Sequence, residues 1–257
     1  MAYESIFRLD GKVAIVIGGY GGIGAALTRA LAEYGATPVV VGRDEEKARA
    51  LAGEIASSGH EAWGLGADVT AKDDADRIVQ QTLERFGRID ILINGQGVQK
   101  DVRAEDYAEE DFERLFRVNL LSVFLTSQAV AKVMIPQKKG KIINFSSVRS
   151  MLGIHSGYVA YCSTKGGLNM LTKQLATEWA KHGINVNAIA PTFIRTEQVA
   201  RYLNDKAFYD KLVNRIPLGR VGETADLVGA AIFLASPASD FVTGHILFAD
   251  GGVTACQ

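Results

Sequence analysis

Tyr161 and Lys165 stand four residues apart in the segment YCSTK, inside a run whose apolar spacing predicts a helix over Tyr158 to Lys181. On a helix that spacing puts both side chains on one face, a turn apart. A phenol has an ordinary pKa of about 10 and is a poor base at neutral pH. A neighbouring ammonium stabilises the phenolate and brings the group toward working pH, which suits proton transfer at a substrate oxygen. Ser147 closes a strand expected over Lys141 to Phe145, and the carboxyl ends of strands line the ligand crevice of an open α/β sheet. Asn119 falls inside a long expected helix, Glu109 to Ile135, where its propensity does not favour it. Tyr and Lys are also common on helix surfaces, so the pair alone decides nothing.

A second cluster is built of glycine. Gly18-Gly19-Tyr20-Gly21-Gly22-Ile23-Gly24 follows an apolar, β-branched run, Val13 to Ile17, and leads into a helical pattern over Ile23 to Tyr34. A turn there needs glycine because its backbone angles are unusual and because a side chain would block a pyrophosphate. The first amides of the helix then face the anion, favoured by the helix dipole.

These residues need a frame, and the chain reads as one. Strands are expected at Val13 to Ile17, Val39 to Val41, Ala62 to Leu65, Ile89 to Ile93, Lys141 to Phe145, Asn185 to Ile189 and Ile246 to Phe248. They are almost continuously apolar, as strands covered on both faces must be. Helices are expected between them at Ile23 to Tyr34, Glu45 to Ser58, Ala71 to Phe86, Glu109 to Ile135 and Tyr158 to Lys181. Asp68 and Thr70 are candidate caps for the third helix, and His182-Gly183 a stop for the last. Pro38 is tolerable as the first residue of its strand. The alternation implies an α/β fold, a single-domain Rossmann-type doubly wound parallel sheet of about seven strands with helices on both faces. Its dinucleotide-binding part would span about 9–145 and its catalytic and substrate part about 146–257.

Composition narrows the function classes. The 257 residues are 47% hydrophobic and 22% charged with a formal net charge of −1, which excludes disorder and any general attraction to nucleic acid or membrane. The first ten residues do not read as a secretory signal, and no stretch approaches the roughly 18 uninterrupted apolar residues of a membrane span. Cys162 and Cys256 match no metal or redox spacing and read as free thiols, and four scattered histidines offer no metal site. A cytoplasmic protein with a small-molecule partner is expected.

The GxxxGxG spacing of Gly18, Gly22 and Gly24, with Asn119, Ser147, Tyr161 and Lys165 in that order, resembles the classical short-chain dehydrogenase/reductase family over Leu9 to Gly252. The resemblance implies an NAD(P)-dependent oxidoreductase that interconverts a secondary alcohol and a ketone. Tyr161 would pass the proton and Ser147 would orient the substrate oxygen. Lys165 would lower the tyrosine pKa and hold the nicotinamide ribose, and Asn119 would anchor a water linking Lys165 to solvent. The Ser–Tyr gap is one residue longer than the commonest spacing, so Ser146 is a weaker candidate, and Val148 favours Ser147. Ile17 stands where the family has Thr. The glycine turn, with Tyr20, Gly21 and Ile23, is implied to bind the cofactor. So are Asp68-Val69 against adenine, Asn94-Gly95-Gln96 in place of the family's NNAG, and Pro191, Ile194 and Thr196 in a PGxxxT-like segment where Thr192 replaces glycine. Asp68 could equally be only a cap. The closing stretch from Phe241 to Gly252 implies a homotetramer.

Two choices remain. An acidic residue at the end of the second strand would bond a ribose diol and repel a phosphate. Gly42 stands there and Arg43 follows, whose guanidinium could fork onto a 2′-phosphate, so NADP(H) is favoured and NAD(H) stays possible. Asp44 could neutralise Arg43, leaving it a surface charge. For substrate, nearness to Ser147, Tyr161 and the PGxxxT-like segment suggests Gln99, Arg149, Met151, His155, Tyr158, Phe193 and Gln198 as lining. Arg149 would suit a sugar acid, or could be tied up by a nearby carboxylate, and His155 could be a plain loop residue. Arg195 to Arg215 reads as a helical flap. GKIINFSSVRSMLG and YCSTKGGLNMLTKQLATEWA resemble the gluconate/ketogluconate 5-dehydrogenase branch. Reduction of a 3-oxoacyl thioester is the runner-up, and a non-catalytic nucleotide-sensing module is the alternative of another class.

Overall fold

The computed structural model describes residues 3–155 and 157–256, and the side chains of Gln198 and Arg201 lie outside that description. Seven strands form one sheet in the order β3-β2-β1-β4-β5-β6-β7. They are β1 (Val13–Ile17), β2 (Thr37–Gly42), β3 (Trp63–Gly66), β4 (Ile91–Asn94), β5 (Gly140–Phe145), β6 (Ile184–Pro191) and β7 (Ile246–Ala249). Every pairing is parallel. The order reverses between β1 and β4, so the crevice beyond their carboxyl ends is where a doubly wound sheet takes its ligand.

Both faces are covered. Val13, Ile15 and Ile17 pack on one side with Ile78 of α3 (Lys72–Phe86) and Met134 of α5 (Ser122–Gln137). That layer also takes Leu175 of α6 (Val159–Trp179). Ala14 and Val16 point the other way, against Leu27 and Leu31 of α1 (Gly22–Glu33) and Ile232 of α9 (Val228–Ala235). Val40 of β2 meets α2 (Glu45–Ser57) on that second side. Alternation along a strand thus feeds two cores, which is why both parities are apolar.

Three local expectations are corrected. Pro38 is the second residue of inner strand β2, not the first. Thr37 N–H donates to Lys12 O at 2.7 Å on the β1 side, so the next nitrogen faces β3, whose ladder begins only at Val39. The missing N–H costs nothing there. Helix α3 is capped by Ala71 with no side-chain bond. Asp68 Oδ1 instead accepts from Thr70 N and Oγ1 at 3.0 and 2.8 Å, while Asp74 reaches back to Asp68 N–H at 2.6 Å. The long helix is also not continuous. It runs as α4 (Glu109–Phe116), a π turn over Arg117–Leu121, then α5. The whole stretch Glu109–Gln137 is long and apolar enough to cross a membrane, yet half of its most apolar window is buried in the fold, as for a core helix.

Candidate active site

The glycine turn sits at the carboxyl end of β1. Gly18 and Gly19 N–H both donate to Val41 O of β2, at 2.8 and 3.2 Å, and Gly18 holds φ +72°. The first intrahelical bond of α1 runs from Ala25 N–H to Gly21 O. The cap, Gly21, has no side chain to offer, so the N–H groups of Gly22, Ile23 and Gly24 are left for an outside acceptor. A Cβ on Gly22 would lie 2.6 Å from Thr196 Cγ2, which brings the PGxxxT-like segment across the turn. A pyrophosphate fits this cradle.

Within that turn the ring of Tyr20 has a fixed seat. It lies over Gly42, where a Cβ would collide with it, and its hydroxyl accepts from Asp44 N–H at 3.0 Å. Asp44 caps α2 through Lys47 N–H at 3.1 Å and pairs with the Lys47 ammonium at 3.4 Å. Its carboxylate, held below the usual range chiefly by that backbone bond, is committed there, and the exposed Arg43 has no acidic partner among the described residues. Gly95 also has a packing task. Its Cβ would come 2.8 Å from Ile17 O, so glycine lets β1 and β4 meet. The Asn94 side chain is also spent internally, donating to Asn144 Oδ1 and Ser127 Oγ at 2.9 and 3.1 Å and accepting from Thr126 Oγ1 at 2.7 Å. Only its backbone is free to face a ligand. Gln96 donates to Ser122 Oγ at 3.0 Å and leaves its own Oε1 buried without a partner. Val69 is buried, whereas Asp68 is exposed at the same rim.

The structure brings the second cluster together beyond β5. Asn119 lies in the π turn, fully buried, its Oδ1 accepting from Val98 N–H at 2.8 Å and its Nδ2 donating to Val98 O at 2.9 Å. That clamp fixes the loop after β4. A Cβ on Gly97 would sit 3.6 Å from Lys165 Nζ and 3.7 Å from Asn119 Oδ1, so the two polar groups converge. Lys165 is 3% exposed and donates to Phe145 O at 2.6 Å, with its ammonium 5.7 Å from the centre of the Tyr161 ring. Ser146 and Ser147 separate cleanly. Ser146 Oγ donates to Asn169 Oδ1 of α6 at 2.6 Å, while Ser147 hydrogen-bonds toward Tyr161.

Burial dominates the electrostatics of the pair. Burial raises the Tyr161 phenol above its ordinary value, opposed by hydrogen bonding with Ser147 and by the field of Arg149. Burial also pushes Lys165 down to about 8, which leaves its ammonium mostly charged at neutral pH.

Around this core the suggested lining divides. Tyr158 meets Tyr161 edge to face at 6.0 Å, and its phenol, half-buried, is pushed up to about 12 mainly by desolvation. Phe193 stacks edgewise on Phe208 of α8 (Lys206–Val213), which in turn meets Tyr202 of α7 (Glu197–Leu203), both ring pairs at 5.8 Å. Those two short helices occupy the expected flap. Met151, His155 and Gln99 are exposed instead, Gln99 bonding Asp101, and the Gln198 side chain lies outside the described residues. A cavity of about 500 Å³ opens beside Thr192, Ile194, Pro217 and Asp250, away from Ser147 and Tyr161. No cluster of metal-ligating side chains is present among the described residues.

A family model described as enoyl-(acyl carrier protein) reductase matches residues 18–254. A gluconate 5-dehydrogenase from Gluconobacter oxydans is 42% identical, over 99% of each chain. The chain belongs to the short-chain dehydrogenase/reductase family. A 5-keto-D-gluconate 5-reductase from Escherichia coli is 38% identical to this short-chain dehydrogenase/reductase, over 97% of it and 98% of the relative. The crystal structure of a gluconate 5-dehydrogenase from Burkholderia cenocepacia, in complex with NADP and tartrate, superposes with a TM-score of 0.95 at 43% identity, covering 98% of both chains. As a family member the chain is an oxidoreductase acting on CH–OH groups.

Proposed function

We propose that this enzyme interconverts a secondary alcohol and a ketone on a sugar acid of the gluconate type, using NADP(H). The observation that carries the reading is the convergence of Ser147, Tyr161 and Lys165 beyond β5, on a sheet whose β1 end leads into the open amides of α1. Relatives named for gluconate and 5-ketogluconate support the substrate class, and a neighbour holding NADP supports the cofactor. When bound, the nicotinamide donates or accepts the hydride. In reduction, the Tyr161 hydroxyl gives its proton to the carbonyl oxygen, which Ser147 holds in place. A phenol held above its ordinary pKa stays protonated at neutral pH and is therefore loaded for that step. Lys165 holds the ribose and Asn119 keeps the loop after β4 at the right height. The first amides of α1 take the pyrophosphate, and Arg43 takes the 2′-phosphate. Residues 9–145 then form the dinucleotide part and 146–257 the catalytic part. The enzyme works in the cytoplasm as a homotetramer, an assembly supported by the exposed apolar side chains Val159 and Met170 on α6.

The test is titration with NADPH and NADH side by side, followed by turnover of gluconate and 5-ketogluconate. Tighter NADPH binding with sugar-acid turnover is expected. Binding of neither nucleotide would remove the oxidoreductase role, and turnover confined to uncharged carbonyls would remove the sugar acid.

A further inference from the structure

Arg149 follows Ser147 by two residues, and its backbone N–H donates to Ser147 Oγ at 3.1 Å. Its side chain is 7% exposed, although guanidinium is among the costliest groups to bury alone. Buried arginines ordinarily meet a carboxylate. This one makes no ion pair among the described residues and holds only backbone carbonyls, Gly153 O at 3.1 Å and Leu152 O at 3.5 Å. A guanidinium has five N–H donors in a fixed fork, and both of those bonds use the same nitrogen, Nη1. The remaining donors have no acceptor among the described residues.

The surroundings give the site a sign. Tyr158 lies in the fields of Asp101 and of Arg149, and Arg149 also feels the like charge of Arg215. The wall beside Tyr158 is therefore polar in one direction, acidic toward Asp101 and cationic toward Arg149. A substrate whose reacting carbon sits at Tyr161 would turn a carboxylate toward Arg149 and its hydroxyls toward Asp101 and Gln99.

We infer that Arg149 is the anchor for the carboxylate of the substrate, the residue that selects a sugar acid over the neutral sugar of the same carbon skeleton. The inference rests on the proposed sugar-acid chemistry and adds the residue that reads the charge. Fork geometry suits it, since a planar guanidinium takes both oxygens of a carboxylate at once.

The experiment compares wild type with Arg149→Met and Arg149→Lys on 5-ketogluconate and on an uncharged keto sugar, fructose, with NADPH as the reductant. Gluconate binding to the NADP+-loaded enzyme is measured by calorimetry. Arg149→Met is expected to lose roughly 100-fold in kcat/KM for the acid and a similar factor in gluconate affinity, with little change on fructose. Arg149→Lys should recover part of the loss. NADPH affinity, read by fluorescence, should not move in either variant. An equal loss on both substrates would overturn the assignment and make Arg149 a tuner of Tyr161, as would gluconate affinity left intact in Arg149→Met. If wild type reduces fructose but not 5-ketogluconate, the sugar-acid reading itself has failed and the anchor with it. Wild-type turnover of the acid with an unchanged Arg149→Met sinks the anchor alone.

Discussion

The two ends of strand β5 each hold a buried lysine, and they are provided for in opposite ways. At the amino end, Lys141 is 5% exposed, pairs with Asp240 at 2.7 Å and bonds Asn185 Oδ1 and Ser239 Oγ at 3.0 and 3.2 Å. Nearby, Asp90 is held by both Lys12 and Arg88. At the carboxyl end, Lys165 is 3% exposed and has one carbonyl. Arg149 and Arg43 stand at the same end of the sheet, without an acidic partner among the described residues. Burial lowers both lysines, but Asp240 opposes the effect at Lys141 and nothing opposes it at Lys165. A buried cation that serves the fold is given its counter-charge. One that serves a ligand is left without it, and the ligand completes it.

The sharpest way to break this contrast is Tyr161→Phe, which keeps the ring and removes the proton. Turnover should fall about 1,000-fold while NADPH affinity holds, and near-wild-type turnover would dissolve the assignment.

The next effect concerns pH. Lys165 has a folded value of about 8 against an ordinary 10.5. Between those values the unfolded chain binds a proton that the folded chain does not, so stability rises with pH over that window and is independent of this group below it. The full rise is about 3 kcal/mol. Chemical denaturation from pH 7.5 to 10 should show it in wild type and lose it in Lys165→Met. Identical pH curves for the two proteins would refute an uncompensated ammonium.

A smaller effect is expected at Arg43. Arg43→Ser should weaken NADPH binding roughly 30-fold and leave NADH unchanged, because only the 2′-phosphate loses its fork. Equal weakening of both nucleotides would make Arg43 a general contact.

The smallest test is at the other end of β5. Lys141→Met should lower stability by about 1–2 kcal/mol, by leaving Asn185 and Ser239 without their donor, and should leave kcat/KM alone. Loss of activity at constant stability would erase the distinction between the two ends.

Much of this frame was legible in the chain. The seven strands fall within about two residues of their expected limits, because runs such as Ile91 to Ile93 and Val39 to Val41 are apolar at both parities. The glycine turn and the Tyr161–Lys165 face follow from spacing alone. The π turn was hidden because apolar periodicity reports which way side chains face, and Val118 and Leu120 keep it going while the hydrogen bonds shift by one residue. The inward turn of Asn94 and the seat of Tyr20 on Gly42 were hidden for a related reason. Each depends on a neighbour from a distant part of the chain, Asn144 for one and the end of β2 for the other. Whether Arg149 meets an acid is likewise a fact about three-dimensional company that local sequence cannot supply.

The π turn at Asn119 has a consequence for how the chain tolerates change in length. One residue more than an α-helix needs has been accommodated between α4 and α5, and each helical residue turns the axis by about 100°. Deleting a residue there would restore a straight, ordinary helix, and would also swing α4 about its axis so that Phe112 and Leu115 leave their present places. The segment that looks most irregular is thus the register mark for everything from Glu109 to Phe116, and a shorter chain would be locally better formed and globally misaligned.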